Sequence, residues 1–251
     1  TSVKDIKKLN FVGLVGFIDP IRTEAKDSIK ECNNAGIKVV MITGDFSLTA
    51  FAIGKELGLC TCYDDVATGE ELARYKALGE KEYDNFVKSK TIFSRVSPLD
   101  KLDIVNSFKR QGEFIAVTGD GVNDVLALKN ADCSISVANG SDAARNVSQL
   151  VLMDSDFKSM PNIVDEGRRT INNIQRSATL FLVKTIYATI LAVLFVFINM
   201  PYPFIPIQLT LINLVVTGIP SVILALEPNK ERIKGKFIIN VIKRALPTAL
   251  T

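Results

Sequence analysis

The residues best suited to chemistry lie in one stretch, FIAVTGDGVNDVLALKNADCSISV, at positions 114–137. An apolar run is followed at once by two glycines and by Asp120, Asn123 and Asp124. Two unpaired carboxylates about 4 Å apart repel by about 4 kcal/mol at an effective dielectric constant of 20, so such a pair favours a divalent cation. An all-oxygen ligand set is typical of magnesium. Asp132, which follows the helical pattern LKNA, is predicted to be structural.

Three further segments should meet this one, because loops at the carboxyl ends of parallel strands converge at one edge of a sheet. Magnesium together with backbone amides of glycine loops makes a phosphate site, to which a lysine adds a point charge. Each motif alone is also compatible with an ordinary turn, but their number and order favour a site. The candidates are Thr43, Gly44 and Asp45 in MITGD, Lys101 in FSRVSPLDK, and Asp19 and Arg22 in GFIDPIR.

Short apolar runs alternate with helical patterns up to about residue 160. Strands are predicted at 11–20, 37–45, 90–96, 113–121 and 133–137, and helices at 25–36, 48–59, 101–112 and 124–131. This alternation predicts an α/β domain with a parallel sheet over residues 1–160. Residues 61–90 are polar and charged, which predicts a peripheral helical excursion.

The hydropathy changes after Arg176. A stalk helix at 161–176 should lead into two apolar runs, 177–198 and 204–226, each long enough at roughly 1.5 Å per residue to cross a hydrocarbon core of about 30 Å. Basic residues flank both outer ends and none occupies the connecting turn, so the soluble domain should face the cytoplasm. Residues 227–251 lead toward a possible further helix. A hydrophobic hairpin buried in a large soluble core is the alternative.

Polar residues within the two apolar runs point to an ion path rather than to a simple anchor. A lysine near the centre of a span costs about 3 kcal/mol on insertion scales, so Lys184 should face a bundle interior or a cavity. Gly218 and Pro220 would free backbone carbonyls in the second span, as occurs where membrane helices line ion sites. The lining candidates are Lys184, Tyr187, Thr189, Asn213 and Thr217.

Composition excludes several classes. The chain has 251 residues, 47% of them apolar, which is high for a purely soluble protein. The net charge of +3 comes from interspersed charges, so nucleic acid is not an expected partner. Four cysteines and no histidine match neither a zinc site nor a disulfide framework, and the polar first ten residues are not a signal peptide.

The motifs together resemble a known family. TGDGVND at 118–124 resembles the hinge motif of P-type ATPases, cation pumps whose phosphorylation domain is haloacid dehalogenase-like. GFIDPIR, MITGD and FSRVSPLDK resemble, in order, three further segments of these pumps, and the two apolar runs resemble their fifth and sixth transmembrane helices. The implied fold is a haloacid dehalogenase-like (Rossmann-like) parallel sheet domain followed by a transmembrane helical hairpin.

The resemblance implies roles for single residues. Asp120 and Asp124 would hold magnesium, with Asn123 in support, and Lys101 would contact the phosphoryl group. Thr43 and Gly44 would line its pocket, and Asp45, Arg22 and Asp19 would lie at the nucleotide. The implied cofactors are Mg²⁺ and ATP. The implied partners are a transported cation, the lipid membrane and the missing remainder of a pump chain in a bacterial plasma membrane.

The sequence departs from the family pattern in two respects. It contains no Asp-Lys-Thr-Gly-Thr motif, and Asp154 and Asp156, which have the spacing of a phosphatase pair, follow Lys101 and the magnesium loop although a nucleophile should precede them. The chain is therefore expected to be an inactive fragment. Neither apolar run contains a carboxylate, although the surrounding sequence is similar to a bacterial subgroup linked to calcium or other divalent cations. A membrane-anchored phosphatase and a non-catalytic regulatory segment are the alternatives.

Overall fold

The computed structural model describes residues 11–13, 15–16, 20–154, 156–198 and 200–250. Its strands form two three-stranded, fully parallel sheets with the orders β1-β3-β2 and β4-β5-β6. In the first, Met41 lies opposite Ile92, and in the second Ala116 lies opposite Cys133. The strands are β1 (Met41–Ile42), β2 (Val66–Thr68), β3 (Ile92–Ser94), β4 (Ala116–Thr118), β5 (Cys133–Val137) and β6 (Leu150–Leu152).

Helices connect and cover the strands, as the right-handed crossovers of parallel sheets require. They are α1 (Thr23–Asn34), α2 (Ser47–Glu56), α3 (Gly69–Leu78), α4 (Glu80–Ser89), α5 (Pro98–Arg110), α6 (Val125–Asn130) and α7 (Asp142–Val147). A capping box begins α3, where the Thr68 hydroxyl accepts from the Glu71 amide and the Glu71 carboxylate accepts from the Thr68 amide. The predicted parallel α/β fold is confirmed.

Each sheet has its own hydrophobic core. Phe93 of β3 and Ile104 of α5 are fully buried beneath the first sheet together with Leu72 and Val87. Under the second sheet, Ile135 packs with Cys32 of α1, Leu152 and Met160. Residues just before β1 alternate between the two cores: Val39 packs against the second cluster and Val40 against the first. This alternation places the two sheets side by side.

Two predicted segments differ from the structure. The strand predicted at 11–20 is wrong for its described residues, which carry no strand and leave Val12 97% exposed. None of the described strands pairs with these residues. The excursion at 61–90 contains α3 and α4 as predicted, but it also contributes β2, whose three residues pair with β3. The polar residues on both sides of β2 obscured its strand pattern in the sequence.

Two helices of the described chain are long and apolar enough to cross a membrane, at 157–198 and 207–226. The stalk and the first apolar run form one uninterrupted helix, α8 (Met160–Ile198). The second run consists of α9 (Pro206–Ile212), a π-helical turn (Asn213–Gly218) and α10 (Ile219–Leu226). A further helix, α11 (Phe237–Leu250), packs against α8. The π-helical turn lies next to Pro220, which lacks the amide hydrogen needed for regular helix bonding.

The end of α10 is fastened to the stalk part of α8 by polar contacts. The buried Asn173 side-chain amide donates to the carbonyls of Glu227, at 2.8 Å, and Ala225, at 3.4 Å. Arg176 pairs with the Glu227 carboxylate at 2.6 Å, and Lys230 pairs with Asp165 at 2.7 Å. The two bonds from Asn173 satisfy carbonyls that the end of a helix leaves without an intrahelical donor.

Candidate functional site

An ion pair between Lys101 and Asp124 is the centre of the candidate site. The Lys101 ammonium lies 2.6 Å from Asp124 Oδ1, and the two side chains are 17% and 14% exposed. Lys101 stands in the first turn of α5, whose start is fixed by Pro98 and by reciprocal bonds between Ser97 and Asp100. The cap therefore determines where the ammonium lies.

The loop after β4 is folded tightly around Asp124. Asp124 Oδ2 accepts from the Gly121 amide at 3.2 Å. A Cβ atom on the buried Gly119 would lie 2.5 Å from that of Asp124, so only glycine fits there. The next loop supports this arrangement, since the Ser141 amide donates to the Asp120 carbonyl at 2.7 Å and a Cβ on Gly140 would stand 3.0 Å from that carbonyl.

The donor set of this loop fits magnesium. The Asp120 side chain is exposed and forms no hydrogen bond or ion pair with any described residue, so its carboxylate is open to a cation. The Asn123 side chain is exposed two residues beyond Gly121. Among the described residues no three acidic, cysteine or histidine side chains form a group that could hold a metal. Magnesium is commonly held by one or two carboxylates with phosphate and water, so Asp120 and Asp124 suffice.

The loop after β1 forms a separate network. The Thr43 hydroxyl donates to the Asp45 carboxylate at 3.0 Å and accepts from the Asp45 amide at 3.1 Å. Backbone bonds from Thr43 to Phe93 and from Arg95 to Asp45 fix this loop to the segment after β3. Within the described ranges, no hydrogen bond or ion pair joins residues 43–45 to Lys101, Asp120 or Asp124. β1 and β4 lie in different sheets, so the predicted meeting of their loops stays a prediction.

One of the two predicted nucleotide contacts before α1, Arg22, lies within the described residues. Arg22 is exposed and precedes α1, where its carbonyl accepts from the Ala25 amide. Asp19 lies outside the described residues.

Three other aspartates have structural partners. Asp132 accepts from the Ile115 amide at 2.9 Å and pairs with Lys109 at 3.0 Å, and these contacts hold the pKa of its carboxyl below the usual range. Asp154 accepts from the Ser159 hydroxyl and the Asp156 amide, which likewise lower its pKa. Asp156 itself accepts from the Lys158 amide. These contacts agree with the structural role predicted for Asp132 and with the rejection of 154 and 156 as nucleophiles.

Arg95 was missed by sequence reasoning. It has a positive φ of 51°, the sole such value among the described residues other than glycine. Its guanidinium lies 4.5 Å from the centre of the Phe46 ring. A left-handed backbone at a long side chain is uncommon and tends to occur at functional sites. The sequence feature that could have drawn attention to Arg95 is its position within the motif FSRVSPLDK.

The five residues predicted to line an ion path fall into two groups by their hydrogen bonding. The hydroxyl of Thr189 is exposed and donates to the Thr185 carbonyl at 2.8 Å, while Lys184 and Tyr187 on the same helix are half-buried. In contrast, Asn213 Oδ1 and Thr217 Oγ1 are buried without a partner among the described residues. Ser221 Oγ is a third such atom, which sequence reasoning missed. Residues four apart share one helix face, so these three oxygens form a row through the π-helical turn.

Comparisons with known proteins identify the family of this chain. Residues 2–132 match the haloacid dehalogenase-like hydrolase family. The chain is 38% identical over 232 residues to a calcium-transporting ATPase of Bacillus subtilis, covering 92% of this chain and 26% of that protein. It is 36% identical over 247 residues to the probable cation-transporting ATPase exp7 of Streptococcus pneumoniae, covering 95% of the chain and 31% of the relative.

One further curated relative and one solved structure are also similar to this chain. A calcium-transporting ATPase CtpE of Mycobacterium bovis is 38% identical over 250 residues, covering 95% of this chain and 30% of the relative. The solved catalytic domain of the CPx-ATPase CopB-B is 26% identical, with a TM-score of 0.43, covering 57% of this chain and 44% of that one. The chain spans less than a third of the length of these three curated relatives. It belongs to the haloacid dehalogenase-like hydrolases, and along most of its length it is homologous to the cation-transporting P-type ATPases.

Proposed function

We propose that this chain is part of an ATP-driven cation pump that couples ATP hydrolysis, through an aspartyl phosphate, to cation transport. The observation that carries the proposal is the shielded Lys101–Asp124 pair at the open Asp120 loop, in a domain continuous with α8. One chain thus joins a phosphate site to a helix long enough to reach from the stalk through a membrane. The names of the curated relatives support the same function.

In the proposed site, Asp120 and Asp124 hold magnesium, and Asn123 supports it. Bound magnesium would neutralise charge on the transferring phosphoryl group. Lys101 supplies a fixed positive charge beside that group, and its pairing with Asp124 keeps the ammonium in place until phosphate arrives. Thr43 and Gly44 line the phosphate pocket from the neighbouring strand end.

ATP is the proposed phosphate donor. Asp45, Arg22 and Asp19 are the candidates for its contacts, the first two being exposed at strand and helix ends. No nucleic-acid role is proposed, since the net charge of the chain is only +3.

The phosphorylated aspartate is proposed to come from chain outside this sequence. β1 and β4 are both edge strands, and each leads into a loop of the candidate site. Phe114 is 78% exposed just before β4, although its apolar run is typical of a central, covered strand. A parallel strand inserted between β1 and β4 would cover this surface and end beside Lys101 and Asp120. Without it, the chain should form no phosphoenzyme.

The transported ion is proposed to contact the row Asn213, Thr217 and Ser221, with Lys184, Tyr187 and Thr189 on α8 as further candidates. Calcium takes six to eight oxygen ligands, and neutral oxygens alone rarely hold it. Since 177–226 contains no Asp or Glu, the carboxylates would come from other helices of the pump. Calcium remains the proposed cation because two of the three named relatives are calcium-transporting ATPases.

The proposed location is a bacterial plasma membrane, crossed more than once, with the soluble domain in the cytoplasm. Basic Arg168, Arg169 and Arg176 lie before the first span and Lys230 and Arg232 after the second, which supports this orientation. A membrane-anchored phosphatase and a regulatory segment without catalysis are less well supported. Neither requires unpartnered buried oxygens within the second span.

Two measurements test the proposal. The chain alone, incubated with γ-labelled ATP and magnesium, should acquire no acid-stable label, whereas a longer protein that includes an upstream nucleophile strand should be labelled. In that longer protein, Asp120→Asn should abolish labelling, while Asp142→Asn on the exposed start of α7 should not. Acid-stable labelling of the chain alone would refute the fragment proposal, and labelling that survives Asp120→Asn would refute the assigned magnesium site.

A further inference from the structure

The segment after α10 is strongly basic. Positions 232–250 carry five cations and no Asp or Glu, namely Arg232, Lys234, Lys236, Lys243 and Arg244. Among the described residues, no carboxylate pairs with any of the last four. The acidic partners found elsewhere at this end, Asp165 and Glu227, are already bound to Lys230 and Arg176. Lys234, Lys236, Lys243 and Arg244 are exposed, so no described carboxylate neutralises their charge.

Helix α11 divides into three faces. It packs against α8, and its two buried residues are Val241 and Ala245, one turn apart. Ile238, Ile242 and Leu246 follow each other at the same spacing along a second face and are 68%, 46% and 47% exposed. The third face carries Asn240, Lys243, Arg244 and Thr248. An exposed isoleucine and leucine stripe beside a basic face is typical of helices that lie in a membrane interface.

The contacts before α11 fix its level along α8. Lys230 pairs with Asp165, and the Asn172 amide donates to the Glu231 carbonyl at 2.9 Å, both in the stalk half of α8. The chain therefore enters α11 beside the stalk, close to the end of the second span. This is where the headgroup layer of the membrane would lie if 177–198 and 207–226 cross it.

We propose that α11 lies in the cytoplasmic headgroup layer, with Ile238, Ile242 and Leu246 against acyl chains and with Lys243 and Arg244 bound to anionic phospholipid headgroups. Basic residues at this level attract the negative surface of the cytoplasmic leaflet. Burial of the stripe by protein, such as a second copy of this chain, is the competing outcome. The unpaired charges of Lys243 and Arg244 favour lipid as the ligand. A protein partner would need acidic residues for these cations directly beside an apolar groove for the stripe.

The absence of tryptophan from this sequence provides a direct test. Ile242→Trp would place a single fluorophore on the apolar stripe, and Thr248→Trp would place one on the polar face as the matched control. The 251-residue chain would be reconstituted in phosphatidylcholine nanodiscs with a minor fraction of acyl-brominated phosphatidylglycerol or, separately, acyl-brominated phosphatidylcholine. Leu246→Trp is the second reporter if the first variant does not fold.

We expect brominated phosphatidylglycerol to quench the fluorescence of the Ile242→Trp chain several-fold more strongly than brominated phosphatidylcholine. Adding Lys243→Gln and Arg244→Gln should make the two lipids quench alike, and Thr248→Trp should be quenched little by either. Equal quenching of the Ile242→Trp chain by the two lipids would overturn the binding of anionic headgroups. No quenching by either lipid would show that protein or water covers the stripe, which would overturn its contact with acyl chains. The test requires only insertion in a membrane, so failure of the proposed pump function would not alter its outcome.

Discussion

Lys101 Nζ and Asp124 Oδ1 lie 2.6 Å apart, and their contact joins the two halves of the soluble domain. Lys101 belongs to α5, whose Ile104 packs in the core of the first sheet, whereas Asp124 follows β4 of the second sheet. A largely shielded pair is costly to break, because the remaining charge keeps its desolvation penalty without its partner. The site is therefore also a structural link.

Lys101→Met should loosen the loop around Asp124. Removing one partner of a fully buried pair costs about 3 kcal/mol. These side chains are 17% and 14% exposed, so the cost should be smaller, and opening of residues 116–128 should become easier by about 1 to 2 kcal/mol. Amide hydrogen exchange of the chain in nanodiscs measures this change. Lys129→Met is the control, since Lys129 is exposed and pairs with no described carboxylate. Equal exchange in the two variants would mean that the pair contributes little to the fold.

Gly119→Ala should disrupt the same loop by steric clash. The added methyl group would stand 2.5 Å from Asp124 Cβ and 2.9 Å from its Cγ, so the carboxylate must move away from Lys101. We expect faster amide exchange at 119–128 and lost magnesium-dependent phosphate binding. Gly167→Ala in the stalk is the matched control, because a Cβ there meets no atom within 4 Å. A variant at 119 that exchanges as slowly as the control would contradict the close approach.

Asp132→Asn should weaken the pairing of β4 with β5 at neutral pH and have no effect in acid. The Ile115 amide and Lys109 lower the pKa of Asp132 in the folded chain, so its charge stabilises the fold above the unfolded pKa of about 3.9. That stabilisation is lost as the pH falls through the lowered folded value. The ratio of exchange rates between variant and wild type at Ile115 should be large at pH 7 and should fall toward one as the pH drops below the lowered folded pKa of Asp132. A pH-independent ratio would exclude charge as the cause.

The order of the motifs was enough to predict the parallel α/β fold and the strand-end position of Asp120 and Asp124. Motif order could not predict that Asp124 turns back to bond the Gly121 amide and Lys101, because that geometry depends on the capped start of α5 and on the space left by Gly119. The short strand β2 was also hidden, since its pairing with β3 is a tertiary effect.

For the two helices that are long and apolar enough to cross a membrane, composition revealed their existence but not the contacts of single side chains. Gly218 and Pro220 indicated irregular backbone, and the structure has a π-helical turn at Asn213–Gly218. Ser221 lies four residues beyond Thr217, but serine in an apolar run gives no signal by itself. Thr189, chosen for its polar side chain, instead satisfies its hydroxyl on the Thr185 carbonyl.

Thr217→Val should weaken cation binding by the intact pump without destabilising the helix. The hydroxyl is buried and has no partner among the described residues, so the similarly shaped valine removes an unsatisfied group. A polar contact to a charged ligand contributes about 1.5 kcal/mol, so the cation concentration for half-maximal ATP hydrolysis should rise by about tenfold. Thr185→Val is the matched control, because its exposed hydroxyl already donates to the Phe181 carbonyl within α8 and it is not among the proposed ion contacts, so the variant should leave cation dependence unchanged. If both variants kept the wild-type cation dependence, the row of oxygens on the second span would not be the ion path.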